Sequence, residues 1–235
     1  MTYNRFGTLL SILFTLGWLI AIGVNLIVWF PQLLGADPMF YDHGREYLLF
    51  VAENQLSWAI FHIGASSALL ILLPLISHLS QLRATDPNQP ALQTIGLVGA
   101  FSALLASLID QFATAVLARW QHGNIDVAYQ LWETMEPFRD NGLKTLSFLL
   151  LGVWALWLAG AWLGTNYPHR RLGRFTQVIG GGLLLLGLIE LAVPLPWRNI
   201  IGETGVAGLV LFPFWGMALA RWFWQAELAH HTHES

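Results

Sequence analysis

The sequence predicts an all-α integral membrane protein, a bundle of six transmembrane helices, and three observations support this. Of 235 residues, 55% are hydrophobic and only 11% are charged, against about 25% charged in an ordinary soluble domain. The mean hydropathy is +0.55. Six stretches reach the length of about 20 predominantly apolar residues that a membrane-spanning helix requires.

The six predicted spans are continuous apolar runs, without the alternation of a membrane β-strand. They cover residues 7–30, 55–79, 93–118, 143–164, 175–193 and 204–224. The first run is too long for a signal-peptide core and no small-x-small cleavage site follows it, so we interpret it as a helix. The whole chain, 1–235, is then one membrane domain that ends in a flexible tail at 225–235.

The basic residues near the helix ends predict the orientation. With a cytoplasmic N-terminus, six lysines and arginines fall inside and five outside, and the stretch "PHRRLGR" supplies three of the inner six. Most acidic residues fall outside. We therefore expect both termini in the cytoplasm and the two long loops, one and three, on the outer side.

The third loop contains an amphipathic pattern. In "NIDVAYQLWETMEPFRDNG", apolar residues recur at three- and four-residue spacing: Ile125, Ala128, Leu131, Trp132, Met135 and Phe138. Asn124 can cap the start of a helix here, and Asn141 with Gly142 can end it. The pattern predicts a helix along the outer interface that covers part of a pocket mouth, and a packed connector is the alternative.

The stretch "LLASLIDQFATAVLARW" places Asp110 and Gln111 inside the third predicted span. Small residues, among them Gly96, Gly99 and Ala103, share its helix face with Asp110, so we expect that face to pack against other helices. At 1.5 Å rise per residue, Asp110 and His62 both lie about 12 Å from the outer ends of their helices. We therefore predict that Asp110 lies within reach of His62, directly or through one water.

Other polar groups fall in the same outer half of the bundle. Asn54, Trp58 and His62 follow one another at four-residue spacing on the second span. Intramembrane ionisable residues are functional candidates, and a structural interhelical hydrogen bond is the alternative. The predicted ligand-binding residues are Asp110, His62, Glu190, Asn25, Gln111, Asn54 and Trp58.

Several chemistries lack their residues in this sequence. There is no cysteine, which excludes disulfides, thiolate metal sites and iron–sulfur clusters. A retinal Schiff base requires a mid-membrane lysine, whereas Lys144 lies at a helix end, and zinc HExxH and Gly-x-Ser-x-Gly motifs are missing. The net charge of −3 is scattered and indicates no nucleic-acid partner. We predict no cofactor and no metal site.

The stretch "FLLLGVWALWLAGAWLGTNYPHRRLGRFTQVIGGGLLLLGLIE" and the order of elements resemble the six-helix bacterial membrane proteins of domain-of-unknown-function family 4386. The shared features are a fourth helix, a short basic turn with a proline and a glycine-rich fifth helix. The resemblance implies a bacterial inner-membrane location and the same topology, and it supplies no catalytic residues.

Two function classes fit these residues, and a third is a structural subunit of a membrane complex. The favoured class is binding or transport of a small or lipid-like molecule, hydrophobic or amphipathic, through an outward-facing polar pocket, with membrane lipid as the surrounding partner. The alternative is a membrane-embedded enzyme in which Asp110 or Glu190 works with His62 as an acid and base pair. The sequence leaves enzymatic activity and oligomeric state open.

Overall fold

The computed structural model describes residues 2–29, 44–163, 169–192 and 210–233. Within these ranges it contains α-helices and no β-strand, which confirms the all-α class. The helices are α1 (Tyr3–Val24), α2 (Gly44–Glu53), α3 (Gln55–Ser80), α4 (Gln89–Ile109), α5 (Ala115–Glu136), α6 (Thr145–Leu163), α7 (His169–Ala192) and α8 (Leu211–His233). Short π-helical segments follow three of them, at Asn25–Trp29, Asp110–Thr114 and Pro137–Lys144.

Five helical runs in the described ranges are long and apolar enough to cross a membrane, so the predicted number of six is wrong for this part of the chain. They are Tyr3–Val28, Gln55–Arg83, Gln89–Trp120, Asn124–Leu163 and His169–Ala192. The span that is predicted but not found among these five is the last one, 204–224. Residues 204–209 lie outside the described ranges, and α8 carries Arg221, Gln225 and Glu227 among its apolar residues.

Neighbouring long helices run in opposite directions. In space, α7 packs on α6, α6 on α4, α4 on α3, α3 on α1 and α1 on α8, while a smaller contact joins α8 to α7. At one end, which we call the Tyr3 end, the Tyr3 hydroxyl donates to the backbone oxygen of His78, at 2.7 Å. The Thr2 hydroxyl donates to Glu227 there, at 2.8 Å. The opposite end, where α4 terminates, is called the Asp110 end.

Close backbone approach holds α1 against α3. A Cβ added at Gly17 would lie 2.8 Å from the backbone oxygen of Gly64, and a Cβ added at Gly64 would lie 2.8 Å from that of Gly17. These small residues let the two backbones touch, as is common between membrane helices. The aromatic core beside this contact includes Phe14 and Trp215 with ring centroids 5.8 Å apart.

Helix α8 runs past residue 224, into the stretch 225–235 where the sequence predicts a flexible tail. It continues to His233, and Glu227 is buried where the tail was expected. The Glu227 carboxylate accepts from Thr2 and pairs with Arg5 (Nε–Oε1 2.8 Å). These contacts to the start of α1 explain why the helix persists past the apolar stretch.

Part of the basic turn predicted before the fifth span is helical: that span is predicted to start at residue 175, whereas α7 begins at His169. Arg170, Arg171 and Arg174 therefore lie on a helix rather than in a loop. Arginine has a high helix propensity, so charge at a membrane border does not by itself end a helix.

Two short elements cover the Asp110 end. Helix α2 lies in the first loop, where no helix was predicted, and its Leu48 and Val51 are fully buried. They pack with Ala128 and Trp132 of α5. Because α5 changes direction at Asn124, which has non-helical angles (φ −161°, ψ 94°), its second half returns over the bundle. The third loop is thus helical as predicted, with Trp132 buried and Phe138 60% exposed, while the position of this helix at an outer interface stays a prediction.

Candidate functional site

Asp110 lies where α4 gives way to a π-helical segment. The segment Asp110–Thr114 follows Ile109 directly, and Asp110 is its first residue. π-helical turns are rare and occur frequently at functional sites because the extra residue redirects neighbouring side chains. Within the segment, the Thr114 hydroxyl donates to Asp110 Oδ1 at 2.8 Å. Thr114 is almost completely buried, so one carboxylate oxygen is held from its own helix.

Arg139 holds the same carboxylate oxygen from the opposite direction. Its Nη1 lies 2.5 Å from Asp110 Oδ1, and the side chains of Arg139 and Asp110 are 10% and 21% exposed. The Arg139 guanidinium also lies over the Trp132 ring, 5.4 Å from its centroid. The Arg139 guanidinium therefore donates a hydrogen bond to the Asp110 carboxylate from the segment after α5.

His62 faces the other oxygen of Asp110. Its Nε2 lies 3.5 Å from Asp110 Oδ2, and the His62 side chain is 4% exposed. The predicted approach of Asp110 to His62 is therefore confirmed. The Trp58 ring lies 4.3 Å from the imidazole centroid and the Phe61 ring lies 5.0 Å away. Aromatic rings on two sides fix the position of the imidazole.

Two serines extend the polar chain away from Asp110. His62 Nδ1 lies 3.4 Å from Ser107 Oγ, and Ser107 Oγ lies 3.0 Å from Ser66 Oγ. Beyond Ser66, α3 contributes Leu69 and Leu72 to the apolar core. In the described part of the chain, this polar chain therefore does not continue to the Tyr3 end. We call Asp110, Arg139, His62, Thr114, Ser107 and Ser66 the Asp110 cluster.

The contact between Asp110 and His62 leaves hydrogen-bonding capacity unused. Its length of 3.5 Å exceeds the usual 2.7–3.2 Å of an N–H···O hydrogen bond. His62 Nε2 is buried and has no hydrogen-bond partner among the described residues. Asp110 Oδ2 has lone pairs that the contacts on Oδ1 do not use. A group that both donates and accepts can bridge this pair of atoms.

An apolar groove runs along the same part of the bundle. It has a volume of about 650 Å³ and is lined by side chains of α4, the π-helical segment and α5, including Leu108, Phe112, Val116, Leu131 and Met135. Phe112, two residues after Asp110, is 64% exposed. The groove thus offers an apolar surface at the level of the Asp110 cluster on a face turned away from the bundle core.

Among the remaining predicted site residues, Trp58 contacts the cluster through the His62 ring, and no such side-chain contact is found for the others in the described ranges. Asn54 donates from Nδ2 to the backbone oxygen of Phe50 at 2.9 Å, which stabilises the junction of α2 and α3. Asn25 and Gln111 are half-buried, and in the described ranges no side-chain hydrogen bond of either residue is found. Glu190 forms a separate pair with Lys144 (Nζ–Oε1 3.5 Å). The structure therefore brings Asp110 and His62 together, with Trp58 against His62, and places Glu190 in a separate ion pair.

Arg139 is the main site residue that the sequence reasoning missed, because we counted it only as a charge on the outer side. One signal was available: Arg139 is the one lysine or arginine in the acidic stretch "NIDVAYQLWETMEPFRDNG", next to the apolar Phe138. Ser107 was also missed, although it precedes Asp110 by three residues and therefore lies near it on a helix.

Comparisons with known proteins supply no relative for this site. No protein-family model matches the chain. No curated protein is found to be similar to it, and no solved structure is either. The resemblance to family 4386 stays a prediction, and the site is interpreted from its own geometry.

Proposed function

We propose that this chain is an integral membrane protein that binds or transports a small or lipid-like molecule at the Asp110 cluster. The observation that carries the proposal is the 3.5 Å separation between Asp110 Oδ2 and His62 Nε2, because it places an unfilled acceptor opposite a ring nitrogen without a hydrogen bond. Ionisable groups inside membrane spans are costly and mark sites of function by default.

The atoms at the gap favour a ligand with a hydroxyl group. A hydroxyl can donate to Asp110 Oδ2 and accept from a protonated His62 Nε2 at the same time. The apolar groove of about 650 Å³ supports a ligand that also carries a hydrocarbon part. We therefore infer a hydroxylated, lipid-like ligand, with its hydroxyl at the gap and its hydrocarbon part toward the groove beside Phe112.

Exchange at one face of the membrane fits the cluster better than conduction across it. The polar chain ends at Ser66, and leucines of α3 lie beyond it. In this proposal the Asp110 end faces the outside of a bacterial inner membrane, and the Tyr3 end faces the cytoplasm. The basic residues of the Tyr3 end support that orientation, since cytoplasmic loops carry excess lysine and arginine.

Retention of native lipids tests the proposal. The wild-type protein, Asp110→Asn and Glu190→Gln are reconstituted in nanodiscs of total bacterial lipid extract and released into native mass spectrometry. Glu190→Gln is the matched control, because it removes a carboxylate of this end that pairs with Lys144 outside the Asp110 cluster. We expect an adduct on wild type and on Glu190→Gln that Asp110→Asn loses. Identical adducts on all three proteins contradict the proposal and favour a structural subunit.

A second candidate function follows from the order of Ser107, His62 and Asp110. The imidazole lies between a serine hydroxyl at 3.4 Å and a carboxylate at 3.5 Å, and such distances shorten when substrate binds. This arrangement suits hydrolysis of a lipid ester. Ser107 Oγ would bond to the ester carbonyl carbon, its proton would pass through His62 to the departing alcohol, and water would then release the acid.

A fluorophosphonate probe distinguishes the enzyme from the binding protein. The enzyme predicts covalent labelling of wild type that Ser107→Ala abolishes and Ser66→Ala retains, since Ser66 is one hydrogen bond further from His62. Absence of labelling at Ser107 contradicts the enzyme and leaves the binding proposal as it stands.

A further inference from the structure

A second cavity lies at the Tyr3 end, remote from the Asp110 cluster. It has a volume of about 470 Å³ and is bounded by α6, α7, α8 and the turn after α3. Its lining includes Leu82, Trp162, His169, Trp222, Gln225 and Ala229. This size falls within the range of about 300–1,000 Å³ that is common for small-molecule sites. The lining is apolar and aromatic, with His169 and Gln225 as polar groups.

The two tryptophans give this cavity a rigid wall. The rings of Trp162 and Trp222 meet edge to face with centroids 5.6 Å apart. Trp222 Nε1 donates to His169 Nδ1 at 2.8 Å. Because Nδ1 accepts this bond, the proton of the neutral imidazole lies on Nε2, which becomes a donor. The cavity therefore combines an apolar wall with a hydrogen-bond donor at its edge.

Positive charge predominates on the helices that form the cavity. Arg170 and Arg174 are exposed on α7, and Arg221 is exposed on α8, one turn before Gln225. The acidic residues of this end, within the described ranges, are Asp86 and Glu227. Asp86 is paired with Arg83, and Glu227 is paired with Arg5. An anionic group is therefore the complementary partner for this surface.

We propose that the Tyr3-end cavity binds an anionic phospholipid, with its acyl chain against Trp162 and Trp222 and its phosphate beside His169 and the arginines of α7 and α8. Basic surfaces between transmembrane helices are a recurrent setting for anionic head groups. Tryptophan at the border of the membrane matches the amphipathic character of the ligand. This site is independent of the proposed function at the Asp110 cluster.

Lipid competition in nanodiscs tests the inference. The protein is reconstituted in equimolar phosphatidylglycerol and phosphatidylcholine, and the lipids retained after release are measured by native mass spectrometry. We expect phosphatidylglycerol to be enriched on the wild-type protein. Each arginine removed should lower its relative affinity about five-fold, so that the double variant Arg170→Gln/Arg174→Gln loses most of the enrichment.

The control is Arg119→Gln, an exposed arginine at the Asp110 end, which should leave the enrichment unchanged. Equal retention of the two lipids by the wild-type protein overturns the inference, as does the same loss in Arg119→Gln and in the double variant. Inorganic phosphate is added in a separate arm. Displacement of the lipid by millimolar phosphate would show a site for a free anion instead of a phospholipid.

Discussion

Asp110 and Arg139 are joined by a contact of 2.5 Å between Oδ1 and Nη1, although 29 residues separate them in the chain. The contact ties the end of α4 to the segment that returns after the bend at Asn124. Trp132, on that segment, packs with α2. The ion pair thus links the segment that covers the Asp110 end to the Asp110 carboxylate at the end of α4.

Removing the Arg139 charge should destabilise the protein strongly. Arg139→Gln leaves a largely buried carboxylate without its cation, and loss of one partner of a buried pair costs about 3 kcal/mol in the free energy of unfolding. The double variant Asp110→Asn/Arg139→Gln should lose less than the sum of the two single variants. Unfolding in mixed detergent micelles measures these differences.

The control for this prediction is Lys144→Gln. Lys144 is 35% exposed and lies 3.5 Å from Glu190, so we expect a cost below about 1 kcal/mol. Equal destabilisation by Arg139→Gln and Lys144→Gln would contradict this prediction. Strict additivity in Asp110→Asn/Arg139→Gln would also contradict it, because it would show that the Asp110–Arg139 contact does not stabilise the fold.

The stability of the protein should depend on the hydrogen bonds of the side chain at position 110 as well as on its charge. Asparagine can still accept from Thr114 and Arg139 through its oxygen, whereas leucine offers neither donor an acceptor. We therefore expect Asp110→Leu to be less stable than Asp110→Asn by about 1–3 kcal/mol. Thermal unfolding of the two variants in the same detergent measures the difference, and equal stability would contradict the buried network.

Two adjacent glycines of α7 should respond oppositely to alanine. A Cβ added at Gly180 would lie 2.9 Å from the backbone nitrogen of Leu156 on α6, whereas a Cβ at Gly181 meets nothing within 4 Å. We expect Gly180→Ala to cost about 1–3 kcal/mol through overpacking. Gly181→Ala should be neutral or add up to about 1 kcal/mol through helix propensity. A stable Gly180→Ala protein would contradict the close packing of α6 and α7.

Asp86, in the turn between α3 and α4, should make the stability of the protein depend on pH in the acidic range. The indole N–H of Trp157 holds the pKa of Asp86 below its usual 3.8, with further help from the backbone N–H of Asn88 and from Arg83. A carboxylate with a lowered pKa contributes stability above its unfolded value, and that contribution is lost as the pH falls through the folded value.

The variant Asp86→Asn isolates this effect. The difference in melting temperature between wild type and Asp86→Asn should be constant from about pH 7 to about pH 5 and should shrink as the pH falls below the usual aspartate pKa. A difference that grows toward acid pH would reverse the sign of the linkage and contradict the contacts of Asp86.

The meeting of Asp110 and His62 could be predicted from sequence because it depends on regular geometry. Both residues lie on long apolar helices, and a fixed rise per residue gives their depth. The part played by Arg139 could not be predicted in this way. It depends on the direction of the chain after Asn124 and on the π-helical segment Pro137–Lys144, and neither feature follows from hydrophobic periodicity.

Helix α2 and the partner of Glu190 show the same limit. The apolar residues of α2 form too short a pattern to identify a helix, and they are buried only because α5 lies over them. Glu190 and Lys144 were expected on the same side of the membrane, but their pairing depends on the contact of α6 with α7. Tertiary packing, not local preference, decides both features.

The central claim is that a ligand hydroxyl binds at the gap between Asp110 Oδ2 and His62 Nε2. The most direct test compares the melting temperature of the protein with dodecan-1-ol and with dodecane, the matched probe that lacks the hydroxyl. In Asp110→Asn, Thr114 and Arg139 hold the amide oxygen at the Oδ1 position, which turns the amide N–H₂ toward His62 and closes the gap. We expect dodecan-1-ol to raise the melting temperature of wild type more than dodecane does, and the two probes to act equally on Asp110→Asn. Equal stabilisation of wild type by the two probes, or an undiminished preference for the alcohol in Asp110→Asn, would contradict ligand binding at this gap.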